Sequence, residues 1–271
     1  MTLVEQTKLW CQELNLRPSK SLGQNFLISE KILSQILNLA ALDSSATVLE
    51  IGPGLGILTK EILSQAGKVV AVEKDPRLVN FLRRRLSARA NLNLIEADAL
   101  TWNPTATELS SAPYQIIANL PYSITGAFLT RFLKQAHPPT RMILMLQKEV
   151  AAKLCAAAGE MSLLAVLVQF YAHPKIAFKV PRCNFWPQPA VDSVIIELLW
   201  QPLAEPATLR AAWSLVAAGF SSPRKKLINN LSAAFPASDW PTLWRRLDWS
   251  DGLRAEDLSA PDWLDLWRAT K

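Results

Sequence analysis

Histidine is the scarcest chemistry-bearing residue of this chain, with two copies, His137 and His173, in 271 positions. Neither stands in metal-ligand spacing or beside a serine-nucleophile motif, which sets aside metallohydrolase and Ser-His chemistry and leaves no metal expected. Three cysteines, Cys11, Cys155 and Cys183, are too few and too scattered for a disulfide framework or a zinc site. A reducing, cytoplasmic setting is the expectation. No apolar run approaches the roughly 18–20 residues of a membrane span. The first fifteen residues carry Glu5, Lys8 and Glu13 in place of the basic-then-apolar layout of a signal peptide, so no membrane partner is expected. Disorder is excluded as well: half of the residues are hydrophobic and 19% are charged, enough to bury a core.

What the chain has is an excess of positive charge, +6 from 29 basic and 23 acidic residues. Residues 201–271 hold nine basic and eight acidic side chains, so nearly all of the excess lies before them. Arg77, Arg83, Arg84, Arg85 and Arg89 form its densest stretch, which suits a polyanionic partner where a nearby site requires one. Composition also changes along the chain. Six of ten tryptophans fall after residue 201, and seven of nine glycines fall before it. The stretch Trp200-Gln-Pro-Leu-Ala-Glu-Pro206 reads as a linker broken by two prolines. Two domains are therefore expected, 1–200 and 201–271. The second reads as a small all-helical unit with helices near 209–220, 224–234 and 240–247.

In the first domain, strand and helix patterns alternate. Residues 29–42 place Ile32, Leu33, Ile36, Leu37 and Ala40 at helical spacing behind a Ser29 cap. Short β-branched runs at 47–51, 68–72, 93–96, 114–118 and 141–147 are separated by helical patterns at 60–65, 76–86 and 127–135, and a further helix is expected at 149–157. Such alternation implies an α/β fold with a mostly parallel sheet and helices on both faces. Sheets of this kind take ligands at the carboxyl ends of their strands.

The motifs fall at those ends. Glu50-Ile-Gly52-Pro-Gly54-Leu-Gly56 follows the first strand as a glycine turn that lets a ligand approach the backbone closely. Its spacing differs from the dinucleotide fingerprint and it has no basic residue for a pyrophosphate. Acidic Glu50 suits instead a ligand with a cationic amino group and a sulfonium. Val69-Val-Ala-Val-Glu73 ends a strand in a carboxylate placed to accept both ribose hydroxyls of an adenosine moiety. Asp98, after the next strand, is placed to accept from an adenine amine. Glycine turn, ribose acceptor and base acceptor together are what S-adenosylmethionine requires.

Asn119-Leu-Pro-Tyr122 carries the chemistry. The exocyclic amine of adenine is a weak nucleophile because its lone pair is delocalised into the ring. The Asn119 side-chain oxygen and the Leu120 carbonyl could each accept one N6 hydrogen and localise that pair. A carboxylate oxygen at 119 could also accept, so Asn119→Asp is expected to keep some activity. Pro121 fixes the backbone, and Tyr122 offers a face for stacking a base taken out of its helix.

Ser21-Leu-Gly-Gln-Asn-Phe-Leu27, Glu50–Gly56, Glu73, Asp98, Asn119–Tyr122 and Asn184-Phe-Trp-Pro-Gln-Pro-Ala-Val-Asp-Ser193 occur in an order that resembles the ribosomal RNA adenine N6,N6-dimethyltransferases, most closely the bacterial small-subunit (16S) type. The resemblance covers nearly the whole chain. It implies a Rossmann-like methyltransferase domain using S-adenosylmethionine and dimethylation of two adjacent adenosines in the 3′-terminal hairpin loop of small-subunit rRNA, within the 30S subunit or its precursor. A monomer is expected. It further implies that Asn25 and Leu27 contact the methionine end of the cofactor beside Gly52, that Glu73 takes the ribose, Asp98 the adenine, and that Asn119 is both catalytic and adjacent to the cofactor. Phe185, with Pro187 and Pro189, matches a segment whose aromatic could close the other face of the target base. Arg224, Lys225 and Lys226 keep a basic cluster for phosphate, although Pro223 stands where the family usually carries arginine. Two other readings remain open: a large-subunit rRNA adenine methyltransferase, and a non-catalytic ribosome-assembly or transcription factor of the same fold.

Overall fold

The computed structural model of the chain describes residues 1–18, 24–104, 107–110 and 112–271. Ser21, Leu22 and Gly23 of the segment quoted above lie outside the described residues. The chain begins with α1 (Leu3–Glu13), β1 (Phe26–Leu27), α2 (Glu30–Ala40), β2 (Thr47–Ile51), α3 (Ile57–Leu63), β3 (Lys68–Glu73) and α4 (Pro76–Leu86). It continues through β4 (Leu92–Glu96), β5 (Gln115–Asn119), α5 (Thr125–Leu133), β6 (Arg141–Gln147), α6 (Lys148–Leu154) and α7 (Leu163–Tyr171). Then come β7 (Ala172–Val180), β8 (Phe185–Trp186), β9 (Ser193–Trp200) and α8 (Pro206–Gly219). Three helices close it: α9 (Leu227–Ala234), α10 (Trp240–Arg246) and α11 (Ala260–Ala269).

Seven strands form one sheet in the order β4-β3-β2-β5-β6-β9-β7, and β1 pairs antiparallel with β8 apart from it. The strands from β4 through β6 are parallel, and β9 runs antiparallel to β6. Every residue of β2 is buried, as expected for a central strand covered on both faces. The order reverses at β2: β3 and β4 lie on one side of it, β5 and β6 on the other. That reversal opens a crevice at the carboxyl ends of β2 and β5.

Local chemistry sets the helix limits. Ser29 caps α2 by accepting from the Ile32 amide, and Asp75 caps α4 by accepting from the Arg77 amide with Pro76 in the first turn. The apolar stripe Leu78, Val79, Phe81 and Leu82 then turns α4 inward while its three consecutive arginines face water. Helix α1 opens with a reciprocal Thr2–Glu5 capping box, a signature present in the sequence but not read there as a helix start.

The chain divides into two compact units, Met1–Ala151 with Lys175–Leu199, and Ala152–Pro174 with Trp200–Lys271. Residues 152–174 thus group with the C-terminal helices rather than with the first two hundred residues, because α7 packs on α8 and α11. Its run from Ala165 to Val168 is buried on all sides, so periodicity could not assign it a partner. In this unit Asn230 is buried and its Nδ2 donates to the carbonyls of Gly219 (2.7 Å) and Ser222 (3.0 Å), tying the turn after α8 to α9. Among the described residues no helix is long and apolar enough to cross a membrane.

A Cβ on Gly219 would stand 2.2 Å from Trp263 Cη2 and 2.8 Å from Leu227 Cδ1. Gly219→Ala is therefore expected to destabilise the helical unit by about 1–3 kcal/mol through overpacking. Urea unfolding followed by tryptophan fluorescence measures this, and cofactor affinity should not change.

Candidate active site

The ends of β2, β3 and β5 and the loop after β4 frame a cleft of about 580 Å³. Gly52, Gly54 and Gly56 all hold left-handed backbone, with φ of +68°, +59° and +77°. At Gly54 the need is double, since a Cβ there would also press to 3.2 Å from the Phe26 ring.

Glu73 is buried and its carboxylate accepts three backbone amides: Gly54 at Oε2 (3.1 Å), and Lys74 (2.8 Å) and Asp75 (2.9 Å) at Oε1. A carboxylate has about four acceptor sites, so about one remains free, on Oε2. The sequence expectation of both ribose hydroxyls on Glu73 meets a group already largely committed to the backbone. Burial pushes its pKa up, and the three amides oppose that shift.

Glu50 lies in the same wall, 2% exposed, and its Oε2 has no hydrogen-bond partner among the described residues. Burial pushes its pKa up to about 8, the Thr59 hydroxyl beside it opposes this, and the Glu73 charge adds to it. An orphaned acid facing a cleft fits a ligand that brings a cation or a donor.

Asp98 lies at the other end and is held below the usual carboxylate range, first by Lys74 Nζ at 2.8 Å and then by the Leu100 amide. Asp75 is likewise held down, first by Arg77, whose guanidinium meets both of its oxygens. Arg77 thereby leaves the basic stretch and becomes part of the cleft wall. Of its neighbours, Arg85 pairs with Glu13 (3.3 Å) and lies 4.5 Å over the Trp10 ring, and Arg83 stands 4.0 Å from Glu96. Arg84 has no ion pair among the described residues.

Asn119 ends β5 in register with Met145 of β6. Its Nδ2 donates to the Asn25 carbonyl at 3.0 Å, which fixes the amide and leaves Oδ1 as the acceptor. Pro121 follows with φ −54° and ψ 128°, and Tyr122–Ile124 form a 3-10 turn. The Tyr122 hydroxyl lies 2.8 Å from Ser193 Oγ.

Of the sequence-predicted residues, Asn25, Leu27, Gly52, Glu73, Asp98, Asn119 and Pro121 line the cleft together. Leu120 is buried and Tyr122 half-buried, and neither side chain lines it. Phe185 requires a correction. It is 3% exposed and pairs with Leu27, and both side chains join the core that includes Ile32, Ile36 and Ile117. Strand alternation is the reason: Phe26 and Trp186 face the opposite cluster with Trp10 and Phe81, so the Phe185 ring turns inward and offers no face to a base. Sequence reasoning missed Lys74, Asp75, Ser123, Ile124 and Met145 in the cleft wall. Only Asp75 had a legible signal, a capping residue before Pro76.

Glu73→Ala should weaken S-adenosylmethionine binding roughly ten- to hundredfold, following loss of a charged acceptor worth about 1.5–3 kcal/mol. Because it also releases three backbone amides, it should lower Tm; calorimetric titration and thermal unfolding read the two effects separately. For Glu50 the folded pKa lies above the unfolded value of 4.5. The protonated acid therefore favours the fold fully below about pH 4.5, and this contribution is lost as pH rises towards 8. The Tm of the cofactor-free protein should fall across that window relative to Glu50→Gln, and cofactor binding near pH 7 should release protons, measured in buffers of differing ionisation enthalpy.

The family model for ribosomal RNA adenine dimethylase matches residues 15–269. The chain is 39% identical over 266 residues to ribosomal RNA small subunit methyltransferase A of Dehalococcoides mccartyi, covering 97% of this chain and 91% of that protein. Among solved structures it resembles the 23S rRNA methyltransferase ErmE at 30% identity and TM-score 0.73, over 91% of this chain and 99% of that one. It also resembles a dimethyladenosine transferase from Plasmodium falciparum at 26% identity and TM-score 0.76, over 89% and 95% of the two chains. The strand order, the glycine turn and the Asn119–Tyr122 loop thus occur in a chain that belongs to the ribosomal RNA adenine dimethylase family of S-adenosylmethionine-dependent methyltransferases.

Proposed function

We infer that this enzyme dimethylates the N6 amines of two adjacent adenosines in the 3′-terminal hairpin loop of small-subunit rRNA, acting as a cytoplasmic monomer on the 30S subunit or its precursor. The observation that carries this is the Asn119 amide, whose nitrogen donates to Asn25 and whose oxygen is thereby left to accept beside the cleft. The 39% identity with a small-subunit enzyme, across nearly the whole chain, favours that target over the large subunit.

The residues present fit S-adenosylmethionine: orphaned Glu50 suits its cationic end, Gly52 and Gly54 allow close approach, and Glu73 and Asp98 offer acceptors for ribose and adenine. When bound, the cofactor supplies a methyl group on a sulfonium, already a good leaving group. The work left to the protein is orientation and lone-pair localisation. For the first methyl, Asn119 Oδ1 and the Leu120 carbonyl each accept one N6 hydrogen, drawing the nitrogen out of conjugation with the ring. N6-methyladenosine keeps one hydrogen, so a single acceptor serves the second transfer, and each transfer releases one N6 proton to solvent. Pro121 holds that carbonyl's direction, and Tyr122 stacks on a base that leaves its loop at little cost. With the Phe185 ring in the core, Tyr122, half-buried between the cleft-lining Pro121 and Ser123, is the aromatic of this motif set left to stack.

Labelled methyl from S-adenosylmethionine should enter immature small subunits as N6,N6-dimethyladenosine, and neither large subunits nor the naked hairpin should be labelled strongly. Label in the large subunit alone would move the target there; none in either would favour a non-catalytic factor. Asn119→Ala should abolish most transfer and leave RNA binding nearly intact, because its oxygen acts on N6 mainly in the transition state. Neutralising Arg84, or one of the exposed Arg224, Lys225 and Lys226, should flatten the log affinity against log salt slope by about 0.7–0.9 per lost contact. Arg85, tied to Glu13 and Trp10, should change stability more than slope.

A further inference from the structure

Ser193 opens β9 and is fully buried, in register with Gln147 of β6. Its neighbour Asp192 is fixed twice: the Asp192 carbonyl accepts from the Lys148 amide (3.2 Å), and Asp192 Oδ1 accepts from the Arg182 amide (2.9 Å). Backbone ties on both sides therefore set where the Ser193 hydroxyl stands. It stands 2.8 Å from the Tyr122 hydroxyl, 71 residues away in sequence.

Tyr122 is half-buried on a one-turn 3-10 segment, between Pro121 and Ser123, which line the cleft while its own ring does not. Its backbone is short and its ring can turn about two side-chain bonds. A hydrogen bond at the far end of the phenol removes both freedoms at once. We propose that Ser193 is a positioning residue, whose buried hydroxyl holds the Tyr122 ring in the plane on which the target adenine stacks. This deepens the assignment given above and rests on it, since it needs Tyr122 against the base.

A pair of buried hydroxyls could instead only satisfy each other, and kinetics separate the two roles. Transfer is measured with labelled S-adenosylmethionine and immature small subunits, alongside cofactor affinity by calorimetry and Tm. Ser193→Ala and Tyr122→Phe cut the same bond from opposite ends, and the phenylalanine keeps the ring. Each should lower kcat roughly three- to tenfold with cofactor affinity unchanged. The double variant should lose no more than either single one, because one bond is lost in all three. Ser193→Thr, which keeps a hydroxyl, should recover most of kcat. A lower Tm with wild-type kcat in Tyr122→Phe would make the pair purely structural and overturn the proposal, even if Ser193→Ala failed to fold. Multiplicative losses in the double variant would overturn it too. Wild-type enzyme silent on this particle would overturn the substrate assignment, and the positioning role with it.

Discussion

A single buried carboxylate stitches the cleft together. Glu73 leaves the end of β3 and accepts amides from the glycine turn after β2 and from the two residues leading into α4. Two loops beyond the ends of paired strands are thereby fixed to one group. Burial alone would push a carboxylate towards its neutral form, and three charge-assisted hydrogen bonds are what keep this one useful as an acceptor. The ligand-facing capacity of Glu73 is what the backbone leaves over. Glu50, one strand away, is the opposite case: buried, without such amides among the described residues, and shifted to about 8. One acid organises the site, and the other is left for a ligand to satisfy.

The same economy governs the reacting end. Asn119 has two donors and an acceptor to offer, and a carbonyl from Asn25 takes one donor. Rotating the amide by half a turn would bring two oxygens together, so the orientation is held by repulsion as well as by attraction. Catalysis by localising a lone pair needs such fixity, because an acceptor free to rotate stabilises the ground state as well as the transition state. At Tyr122 the bond to Ser193 plays a parallel part. Each of these groups is oriented by a residue remote in sequence, Asn25 by 94 positions and Ser193 by 71.

That remoteness explains what the sequence could and could not convey. Helices α2 and α4 were legible because their caps and apolar stripes are local signals. The parallel strands were legible from short β-branched runs, and the site motifs from their place at strand ends. The antiparallel insertion of β9 between β6 and β7 was not, since nothing in its run of apolar residues states a direction. The grouping of α7 with the C-terminal helices was hidden for the same reason. Phe185 misled because a motif gives the residue type and not which face of a two-residue strand it takes. The isolation of Glu50 and the commitment of Glu73 to backbone amides are sums over neighbours from several elements, beyond any local pattern.

The Asn25 bond bears on one expectation at the centre of the mechanism, that Asn119→Asp keeps some activity. An aspartate at 119 would turn one oxygen towards the Asn25 carbonyl, where the native amide turns a donor. Methyl transfer by Asn119→Asp on immature small subunits, followed against pH with cofactor affinity checked at each point, tests the orientation directly. If the Asn25 bond sets the acceptor, this variant is as inactive as the alanine at neutral pH and gains activity, relative to wild type, as acidification restores a donor to the side chain. Activity close to wild type at neutral pH would contradict the account.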